Sequence, residues 1–580
     1  MIEIKDMEKR TFRTFGWVQD PSDFDSLYKV VSIFNENSPI YEDLVENKIN
    51  ELVEVRDGRE RLLNALKTKP LRLKYIDLVG TAFSPRPSAR CNGIVQATVK
   101  GQQRPFISDW PADNFIRWAQ CLGFIKYNYF DDTFEITELG LEFSNSEEGT
   151  ERNEILEEAL LSYPPAIRIL SLLEDGEVKT KFELGQNLGF VGEDGFTSLP
   201  QDILIMTLAN TDDVKEKNKL RTDTEGSSDK YARMIAKWLI KLDLLKQVTK
   251  TVVAEIGTNT YKENIGQSYV ITAKGIKALN KARGKSKFKR IAKNISWEML
   301  ATKGVDRDYI RTRRAYILKI LVETKGGLTL EEIRDRLEIY AISELYTVVR
   351  DDIEGLINIG LNIKKNNKYY LDDEINDFVI PRIKDDNNGK SEITIKKDQL
   401  REKLDILSHE YLSLVDLSFD SKQNRLFEMK VVELLIKECE YEGLHLGGSR
   451  RPDGIIYTSN LKNNYGVIID TKAYSKGYDL PISQVDEMTR YVEENNKRDK
   501  TRNPNEWWKN FKPDINDFYF TFISGEFKGN IDEKLERINI ATNRKGAAIA
   551  ILSLINLANE IKAKRMSLEE VKNIFQNKVY

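Results

Sequence analysis

Hydrophobic and polar residues repeat one arrangement along the chain: an amphipathic helix, then two short strands separated by a polar turn. The helix, first strand and second strand fall at 114–123, 124–127 and 133–137 in the first copy; at 230–241, from 244, and at 268–272 in the second; and at 348–359, 361–364 and 368–371 in the third. A helix followed by a hairpin is typical of the winged helix-turn-helix, which binds DNA but also occurs as a protein–protein module. Three copies favour DNA binding.

The ends of these copies divide the chain into predicted domains. We expect winged-helix-like subdomains at 1–148, 149–290 and 291–383, then a linker at 384–397 and a fourth unit at 398–580. The linker is predicted because its residues are polar and lack the periodicity of a helix or a strand. The sequence therefore predicts a multidomain α+β protein.

The fourth unit contains a predicted β-hairpin whose open end is charged. Pairing its strands about the middle of the turn would set Asp453 beside Lys472 and Asp470 beside Ile455. Side chains alternate between the faces of a strand, so Asp470 and Lys472 emerge on the same face. Two carboxylates and an ammonium group are therefore expected to converge. In sequence order the hairpin consists of Pro452-Asp453, the strand 454–457, a polar turn, the strand 466–469 and Asp470-Thr471-Lys472.

This convergence suits the hydrolysis of a phosphodiester. Asp453 and Asp470 can hold a hard divalent cation such as Mg²⁺, and the cation and Lys472 both stabilise the charge that builds on phosphorus. Lys472 can also orient or deprotonate the attacking water, and the sequence leaves these roles open. Since Pro-Asp followed by Asp-x-Lys is a loose motif, a surface hairpin with ordinary terminal charges is the alternative.

Three further charged residues in the fourth unit allow a functional and an ordinary interpretation. Glu428 shares a helix face with apolar residues, so it is either an additional metal ligand or a side chain at the edge of the stripe that reaches solvent. Asp486 and Arg490 are spaced as neighbours on a predicted helix. They form either a local surface pair or a self-complementary patch, in which Asp486 of one copy meets Arg490 of another.

The amino-acid composition argues against several other classes of protein. The chain has 580 residues, a formal net charge of −3, two histidines and three widely separated cysteines. It lacks the paired ligands of a zinc finger, so any metal chemistry falls to carboxylates. It also lacks a long apolar run and an apolar leader, so we expect a cytoplasmic protein without a membrane partner. A basic run at 281–293 is either a solvated linker or a segment that contacts phosphates.

Longer segments add a family signal. They are Arg13-Thr-Phe-Gly-Trp-Val-Gln19, Ser162-Tyr-Pro-Pro-Ala-Ile-Arg-Ile-Leu170, Lys230-Tyr-Ala-Arg-Met-Ile235, His445-Leu-Gly-Gly-Ser-Arg450, Asp470-Thr-Lys-Ala-Tyr-Ser475 and Asn503-Pro-Asn-Glu-Trp-Trp508. In these segments the chain resembles the FokI-like type IIS restriction endonucleases, and the similarity extends from about residue 13 to the C-terminus.

The resemblance implies three recognition subdomains, the third making mainly intramolecular contacts, and an α/β cleavage domain of the PD-(D/E)xK type. It implies an endonuclease that binds a short asymmetric site close to GGATG in double-stranded DNA and cuts outside it. The implied cofactor is Mg²⁺, with Mn²⁺ able to substitute. Catalysis falls to Asp453, Asp470 and Lys472, with Asp453 and Asp470 as metal ligands.

The same resemblance implies partners. Cleavage domains are expected to form a homodimer on DNA through Asp486 and Arg490, from a chain that is a monomer free in solution. A bacterial cytoplasm is the implied location. A companion DNA methyltransferase is also implied, because an active nuclease would otherwise cut the DNA of its host.

DNA-contacting residues are implied in the first two subdomains. Arg and Gln recognise guanine and adenine edges, and Glu accepts a hydrogen bond from cytosine N4. The chain departs from the family at Asp20, where Asn is expected, and at 221–224, where an Asn-rich segment with Trp is expected. The matching positions are Gln19, Arg86, Trp110, Glu225, Lys230 and Arg233.

Two other functions compete with this one. The chain could be a DNA-binding regulator whose fourth unit only dimerises, or a nuclease without sequence specificity. The intact set of Asp453, Asp470 and Lys472 argues against the regulator. Discrete cleavage products, in place of a smear, would argue against the non-specific nuclease.

Overall fold

The structure is a computed structural model that describes residues 2–7, 15–52, 56–82, 85–86, 89–101, 106–285, 290–383 and 390–580. Within these ranges no helix is both long and apolar enough to cross a lipid bilayer. The chain is a multidomain α+β protein, as predicted, with small sheets among helices in its first 383 residues and one larger sheet after them.

The first part of the chain is mainly helical and contains a small three-stranded sheet, in which the strand at 133–136 lies between those at 73–74 and 125–128. The first predicted helix and its hairpin are confirmed, with Ile125 opposite Ile136 in the antiparallel pair. The helices are α1 Phe24–Ser32, α2 Pro39–Asp43, α3 Ile49–Leu52, α4 Arg56–Leu66, α5 Tyr75–Val79, α6 Val95–Thr98, α7 Asp109–Cys121 and α8 Glu138–Asn145, and the strands are β1 Ile2–Met7, β2 Leu73–Lys74, β3 Ile125–Asn128 and β4 Thr133–Ile136.

The second part contains a hairpin that is much longer than the sequence predicts. Its strands pair from Leu245 opposite Ile271 to Ile256 opposite Asn259. The outer half was missed because charged residues such as Lys262 alternate there with few apolar ones. The helices are α9 Thr150–Ser162, α10 Pro164–Leu172, α11 Lys181–Gln186, α12 Gln201–Ala209, α13 Val214–Asp223, α14 Ser227–Lys241 and α15 Ala273–Ala282, and the strands are β5 Lys179–Thr180, β6 Leu245–Ile256 and β7 Asn259–Ile271.

The third part confirms the last predicted copy of helix and hairpin. Its final strand pairs in parallel with β1, so residues 2–7 lie beside residues 378–383. The helices are α16 Arg307–Glu323, α17 Leu330–Leu337 and α18 Tyr346–Asn358, and the strands are β8 Ile363–Asn366, β9 Lys368–Leu371 and β10 Phe378–Ile383.

The basic run at 281–293 is not a free linker where the structure describes it. Lys293 is buried and donates to the backbone carbonyls of Ala282 and Ile291. Arg283 pairs with Glu174, which follows α10, and Arg290 pairs with Asp372, which follows β9. These side chains bind groups within the protein, so a solvated linker is wrong for them, and contact of the run with phosphates stays a prediction. Residues 286–289 lie outside the described residues.

The fourth part is built on a six-stranded sheet of order β11-β12-β13-β14-β15-β16. The first three strands are antiparallel and the last four are parallel to one another. The helices are α19 Glu392–Lys403, α20 Ser413–Leu417, α21 Asn424–Glu433, α22 Ile482–Lys497, α23 Ile531–Thr542, α24 Ile551–Lys562 and α25 Leu568–Val571, and the strands are β11 Glu442–His445, β12 Gly454–Tyr457, β13 Tyr465–Lys472, β14 Asp517–Ser524, β15 Gly546–Ala550 and β16 Lys578–Val579.

The linker predicted at 384–397 is wrong at its C-terminal end. Helix α19 already begins at Glu392, where the Ser391 side chain caps it by accepting from the amide of Thr394. Within that helix Lys397 is buried and pairs with Asp416, which orders a segment whose polar composition suggested a linker. Residues 384–389 lie outside the described residues.

Two hydrophobic clusters organise the described chain. One joins the first and third parts with the inner half of the second. The other is the core of the fourth part, and it also includes Ile203 of α12 together with Val252 and Ile256 of the long hairpin. The fourth part therefore packs against the second through a shared apolar core, because α12 and the outer half of the hairpin extend onto it.

Candidate active site and DNA-contacting residues

Asp453 stands immediately before β12, at the end of a loop that contains two consecutive glycines. Its backbone carbonyl accepts from the amides of Leu446 and Gly447 at 2.8 and 3.3 Å, which closes the loop beside β11. Gly448 has a positive φ of 86°, and a Cβ atom there would lie 2.9 Å from a carboxylate oxygen of Glu216. The loop is therefore compact and lies against α13 of the second part.

The hairpin register differs from the predicted one by two residues. Gly454 pairs with Ile469, which sets Asp453 opposite Asp470 and not opposite Lys472. The centre of the turn lies earlier in the chain than predicted, because hydrogen bonds between Thr458 and Tyr465 close the turn. A shift of two residues keeps every side chain on its own face, so the predicted convergence survives the error.

Three charged groups meet at this end of the sheet. The Lys472 Nζ donates to Asp470 Oδ1 at 2.8 Å. Asp453 Oδ2 accepts from the Thr471 amide at 2.7 Å and from the Thr471 hydroxyl at 2.9 Å. The convergence of Asp453, Asp470 and Lys472 that the sequence predicts is therefore present.

Crowded negative charge sets the electrostatics of the site. Burial, together with the charges of Glu428 and Asp470, raises the pKa of Asp453 well above its usual range. Burial also raises the pKa of Asp470, although Lys472 opposes that shift. The pKa of Lys472 is raised because the neighbouring carboxylates outweigh its burial. A cation placed between these carboxylates would relieve their repulsion.

Glu428 lies at the edge of this cluster, on α21. Its side chain is 19 % exposed and its Oε2 lies 3.5 Å from Nε2 of His445, so it is not the freely solvated residue of the ordinary interpretation. The buried His445 also contacts the Thr207 hydroxyl of α12 at 3.1 Å through Nδ1. Burial raises the pKa of Glu428, but His445 and nearby cations lower it overall.

The donor set fits a hard divalent cation. In the part of the chain that the structure describes, no group of three or more His, Cys, Asp or Glu side chains lies close enough together to hold a metal ion. Mg²⁺ nevertheless commonly binds through one or two carboxylates and completes its shell with water and substrate phosphates. The adjacent carboxylates of Asp453 and Asp470, with their raised pKa values, suit that kind of site.

Asp486 and Arg490 do not pair with each other. Asp486 is exposed on α22 and lies 3.5 Å from Arg537 of the neighbouring α23. Arg490 contacts Glu487 and Glu494 of its own helix at 3.1 and 3.8 Å. The local Asp486–Arg490 pair of the ordinary interpretation is therefore absent from the described structure, and both side chains remain on an exposed helical face.

The first-subdomain candidates lie around the start of α7. Arg86 is held by Asp109, whose buried carboxylate accepts from the Arg86 amide at 3.2 Å and from Nε at 2.7 Å, while half of the Arg86 side chain stays exposed. Trp110 is 38 % exposed. The Asn114 side chain, one turn later, donates to the backbone carbonyl of Trp110 and accepts from the backbone amide of Gln19 at 3.4 Å. Arg86 and Trp110 are thus ordered and accessible.

The second-subdomain candidates lie at the start of α14. Glu225 accepts from Arg233 through Nε at 3.0 Å and Nη2 at 3.2 Å, and it also accepts from Lys181. Glu225 and Lys230 border a cleft of about 630 Å³ that also borders Lys422 and Arg425 of the fourth part. Glu225 and Lys230 therefore border the junction with the fourth part.

Asp20, where the resemblance leads us to expect Asn, lies near this second set. Burial raises the pKa of Asp20, and the positive charges of Lys237 and Arg233 lower it in part. Trp17 packs on Tyr231 with 4.9 Å between ring centroids, which brings the segment before Asp20 onto α14. Candidates from the two subdomains therefore adjoin one another.

Some residues that shape these sites were missed from the sequence. Thr471 lies between the two motif residues, yet nothing in the pattern marks it as a partner of Asp453. Asp109 and Lys181 are charged residues near helix starts, where exposed side chains are common. His445 enters the sequence pattern only as the first residue of one segment that carries the family resemblance. In each case the signal is a long-range contact, which periodicity does not report.

Comparison with protein families finds matches over most of the chain. The model described as FokI, cleavage domain, matches residues 390–579. Models for FokI recognition subdomains 1 and 2 match residues 13–146 and 152–287, and the model for the FokI D3 domain matches residues 300–368. The matched ranges follow one another in the order of the structural parts.

Curated relatives and solved structures agree with these matches. The chain is 47 % identical over 576 residues to the type II restriction enzyme FokI of Planomicrobium okeanokoites, covering 97 % of this chain and 98 % of the relative. It is 34 % identical over 588 residues to the type II restriction enzyme StsI of Streptococcus sanguinis, covering 98 % and 96 %. The structure of FokI and that of FokI bound to DNA both superpose with a TM-score of 0.92, at 48 % and 47 % identity, covering 98 % of this chain and 100 % and 99 % of theirs.

Proposed function

Because this chain belongs to the FokI family of type II restriction enzymes, it is a site-specific DNA endonuclease, and we propose that it cuts both strands of double-stranded DNA at a fixed distance outside a short asymmetric site. The observation that supports this most directly is the convergence of Asp453, Asp470 and Lys472 at one end of the sheet. One of the similar solved structures is FokI bound to DNA, and this supports double-stranded DNA as the partner of this chain.

The proposed cofactor is Mg²⁺, with Mn²⁺ as a substitute, held by Asp453 and Asp470 with Glu428 as an additional candidate. When bound, such a cation supplies Lewis-acid stabilisation of the phosphate and a more acidic water. Thr471 orients the Asp453 carboxylate through two hydrogen bonds. Lys472, already bound to Asp470, supplies a fixed positive charge toward the phosphate and a donor that can orient the attacking water.

We propose that the first two subdomains determine where the DNA is cut. Gln19, Arg86 and Trp110 of the first are proposed to contact the site, as are Glu225, Lys230 and Arg233 of the second. The proposed sequence is GGATG or one close to it, and Asp20 is the position at which a difference is most expected, since its negative charge lies beside Arg233.

The proposed division of labour follows the predicted domains. Subdomains at 1–148 and 149–290 recognise DNA, the subdomain at 291–383 makes mainly intramolecular contacts, and the nuclease domain at 398–580 cuts. An ion network between the third and fourth parts supports the intramolecular role: Asp351 of α18 contacts Arg401 of α19 at 2.9 Å and His409 at 2.7 Å. This network holds the nuclease domain against the third part.

Cutting two strands is proposed to need two nuclease domains. Asp486 and Arg490 lie on an exposed helical face, which is accessible to the same face of a second copy. The chain is proposed to be a monomer free in solution and a dimer on DNA. A bacterial cytoplasm and a companion DNA methyltransferase complete the proposal.

Digestion of a plasmid in the presence of Mg²⁺ tests this function. Discrete bands that disappear when a chelator is added, and return with Mg²⁺ or Mn²⁺, are expected. A smear would indicate cleavage without sequence specificity. Intact plasmid over a wide range of protein concentrations would contradict nuclease activity and favour a DNA-binding regulator.

A further inference from the structure

Lys181 is a buried lysine at the first position of α11, behind the candidate DNA-contacting surface. Its side chain is only 4 % exposed, and its ammonium group donates to the Glu225 carboxylate. The ammonium also lies 4.9 Å from the centre of the Phe182 ring. A lysine in this position cannot itself reach DNA, because its charged end points into the protein toward Glu225.

Glu225 is shared by two cations. Lys181 contacts Oε1, and Arg233 contacts both carboxylate oxygens, at 3.0 and 3.2 Å. The Glu225 side chain is 8 % exposed. Burial alone would raise its pKa, but Lys181 and Arg233 lower it below the usual value. The group thus contains one fixed anion and two cations, and its net positive charge is favourable next to a polyanion.

The geometry points to Lys181 as a positioning residue for base recognition by Glu225 and Arg233. This inference rests on the proposed function, in which Glu225 and Arg233 contact bases. Arg233 binds Glu225 through Nε and Nη2, which leaves its Nη1 and Nη2 edge free for a bidentate contact with guanine. The position of that free edge therefore depends on the position of the Glu225 carboxylate. Lys181 holds this carboxylate as a second cation and so fixes the position of both groups.

Retention of Lys181 on one oxygen has a further consequence for Glu225. A carboxylate accepts at about four lone-pair positions, so a carboxylate that is bound by one ammonium keeps acceptor capacity for cytosine N4. Lys181 and the Nε of Arg233 both contact Oε1, and the Nη2 of Arg233 contacts Oε2, so acceptor capacity remains on Oε2. The expected result is a charged acceptor whose position is fixed by two cations.

An ordinary ion pair that only fastens α11 to the segment before α14 is the competing explanation. That role would predict a loss of stability and of DNA cleavage at every site alike. The positioning role predicts a loss confined to particular base pairs. The two explanations therefore differ in how a substitution changes discrimination, not in whether it weakens the enzyme.

The test compares full-length Lys181→Met, Lys181→Arg and Glu225→Gln with the wild type on the cognate duplex and on duplexes that each carry one changed base pair. Lys179→Met is the matched control, because Lys179 lies two residues earlier and pairs with Asp175 at the surface. The measurements are kcat/KM on every duplex and the single-turnover rate constant on saturating cognate duplex.

We expect Lys181→Met to lower discrimination by about 5- to 150-fold at the same base pairs that Glu225→Gln affects, since one base contact contributes about 1–3 kcal/mol. Its single-turnover rate constant should stay within about 2-fold of the wild type, because chemistry takes place elsewhere. Lys181→Arg should keep wild-type discrimination, and so should Lys179→Met. Should thermal unfolding reveal that Lys181→Met is not folded, Lys181→Gln is measured in its place, with the same expectation.

Unchanged discrimination in Lys181→Met, with a clear effect of Glu225→Gln, would overturn the positioning role and leave the proposed function intact. A uniform loss over all duplexes would also overturn it, in favour of the ordinary ion pair. If Glu225→Gln itself alters no position, the assumed base contact is wrong, and the role of Lys181 falls with it.

Discussion

Thr471 holds the Asp453 carboxylate at two points: its backbone amide donates to Oδ2 at 2.7 Å and its hydroxyl donates to the same oxygen at 2.9 Å. Asp453 lies before one strand and Thr471 within the next, so these bonds join the two motif segments directly. Thr471 lies between Asp470 and Lys472 in the chain and also binds Asp453. It therefore couples the orientations of these three charged groups.

Replacing Asp453 by Ala should abolish cleavage while leaving DNA binding intact. Removing a ligand of the proposed cation costs several kcal/mol of transition-state stabilisation, which corresponds to at least about 10³-fold in rate. Plasmid cleavage and gel-shift binding are the two measurements. The control is Asp479→Ala, an exposed carboxylate in the segment after β13, and it should cut normally. Normal cutting by Asp453→Ala would mean that the active site lies elsewhere.

Thr471→Val tests the orientation of Asp453 alone. The change removes the hydroxyl bond but keeps the backbone amide bond, so we expect a loss of about 10- to 100-fold in the cleavage rate, as for other groups that orient a metal ligand. Raising the Mg²⁺ concentration should recover part of the loss. Thr521→Val is the control, since Thr521 is also buried in the sheet but does not contact the charged cluster. Equal losses in both variants would assign the effect to the sheet and not to Asp453.

Substitutions on α22 test dimerisation. Asp486→Ala and Arg490→Ala should weaken cleavage mostly at low protein concentration, because only the association step is affected. The measurement is the cleavage rate over a range of enzyme concentrations, at constant DNA. For the wild type we expect a rate that rises more steeply than the first power of enzyme concentration. A first-order rate that is unchanged in both variants would contradict a dimer on this face.

Asp453 should also make the metal-free protein less stable as pH rises. The pKa of Asp453 is raised by burial and by Glu428 and Asp470, so the folded protein holds its proton more tightly than the unfolded chain does. The contribution of protonated Asp453 to the free energy of unfolding is fully present below the usual pKa of Asp. It is lost as pH rises toward the pKa that Asp453 has in the folded protein. In a chelator, Asp453→Asn should therefore gain stability over the wild type as pH rises from about 4 to 8.

Thermal unfolding at several pH values measures this difference. Glu392→Gln is a suitable control, since Glu392 is exposed and lies far from the sheet in sequence. A stability difference between wild type and Asp453→Asn that does not change with pH would mean that the charge of Asp453 is not crowded in the folded protein.

The sequence predicted the hairpin and its charged end because both follow from local rules. The segment 454–457 is a strand as predicted, and Asp470 and Lys472 share a face because side chains alternate. The register was wrong by two residues, since it depends on how Thr458 and Asn464 close the turn. The error did no harm to the site, because a shift by two preserves the faces of a strand.

Contacts between distant segments could not be predicted in the same way. The pairing of Lys181 with Glu225, and that of Arg86 with Asp109, depend on how helices meet and not on spacing along the chain. The outer half of the long hairpin has few apolar residues, and those it has, such as Val252, belong to the core of the fourth part. A pattern within one segment does not report the partner that buries it.

Sequencing both ends of the fragments from a plasmid digest tests the central proposal most directly, because it gives the site and the position of the cut together. We expect breaks in both strands at fixed distances on one side of a single short asymmetric sequence, at or close to GGATG. Asp453→Ala should give no ends at all under the same conditions. Two results would contradict a cleavage domain that is directed to its cutting position by a separate recognition part. They are fragment ends that share no neighbouring sequence, and cuts inside the shared sequence.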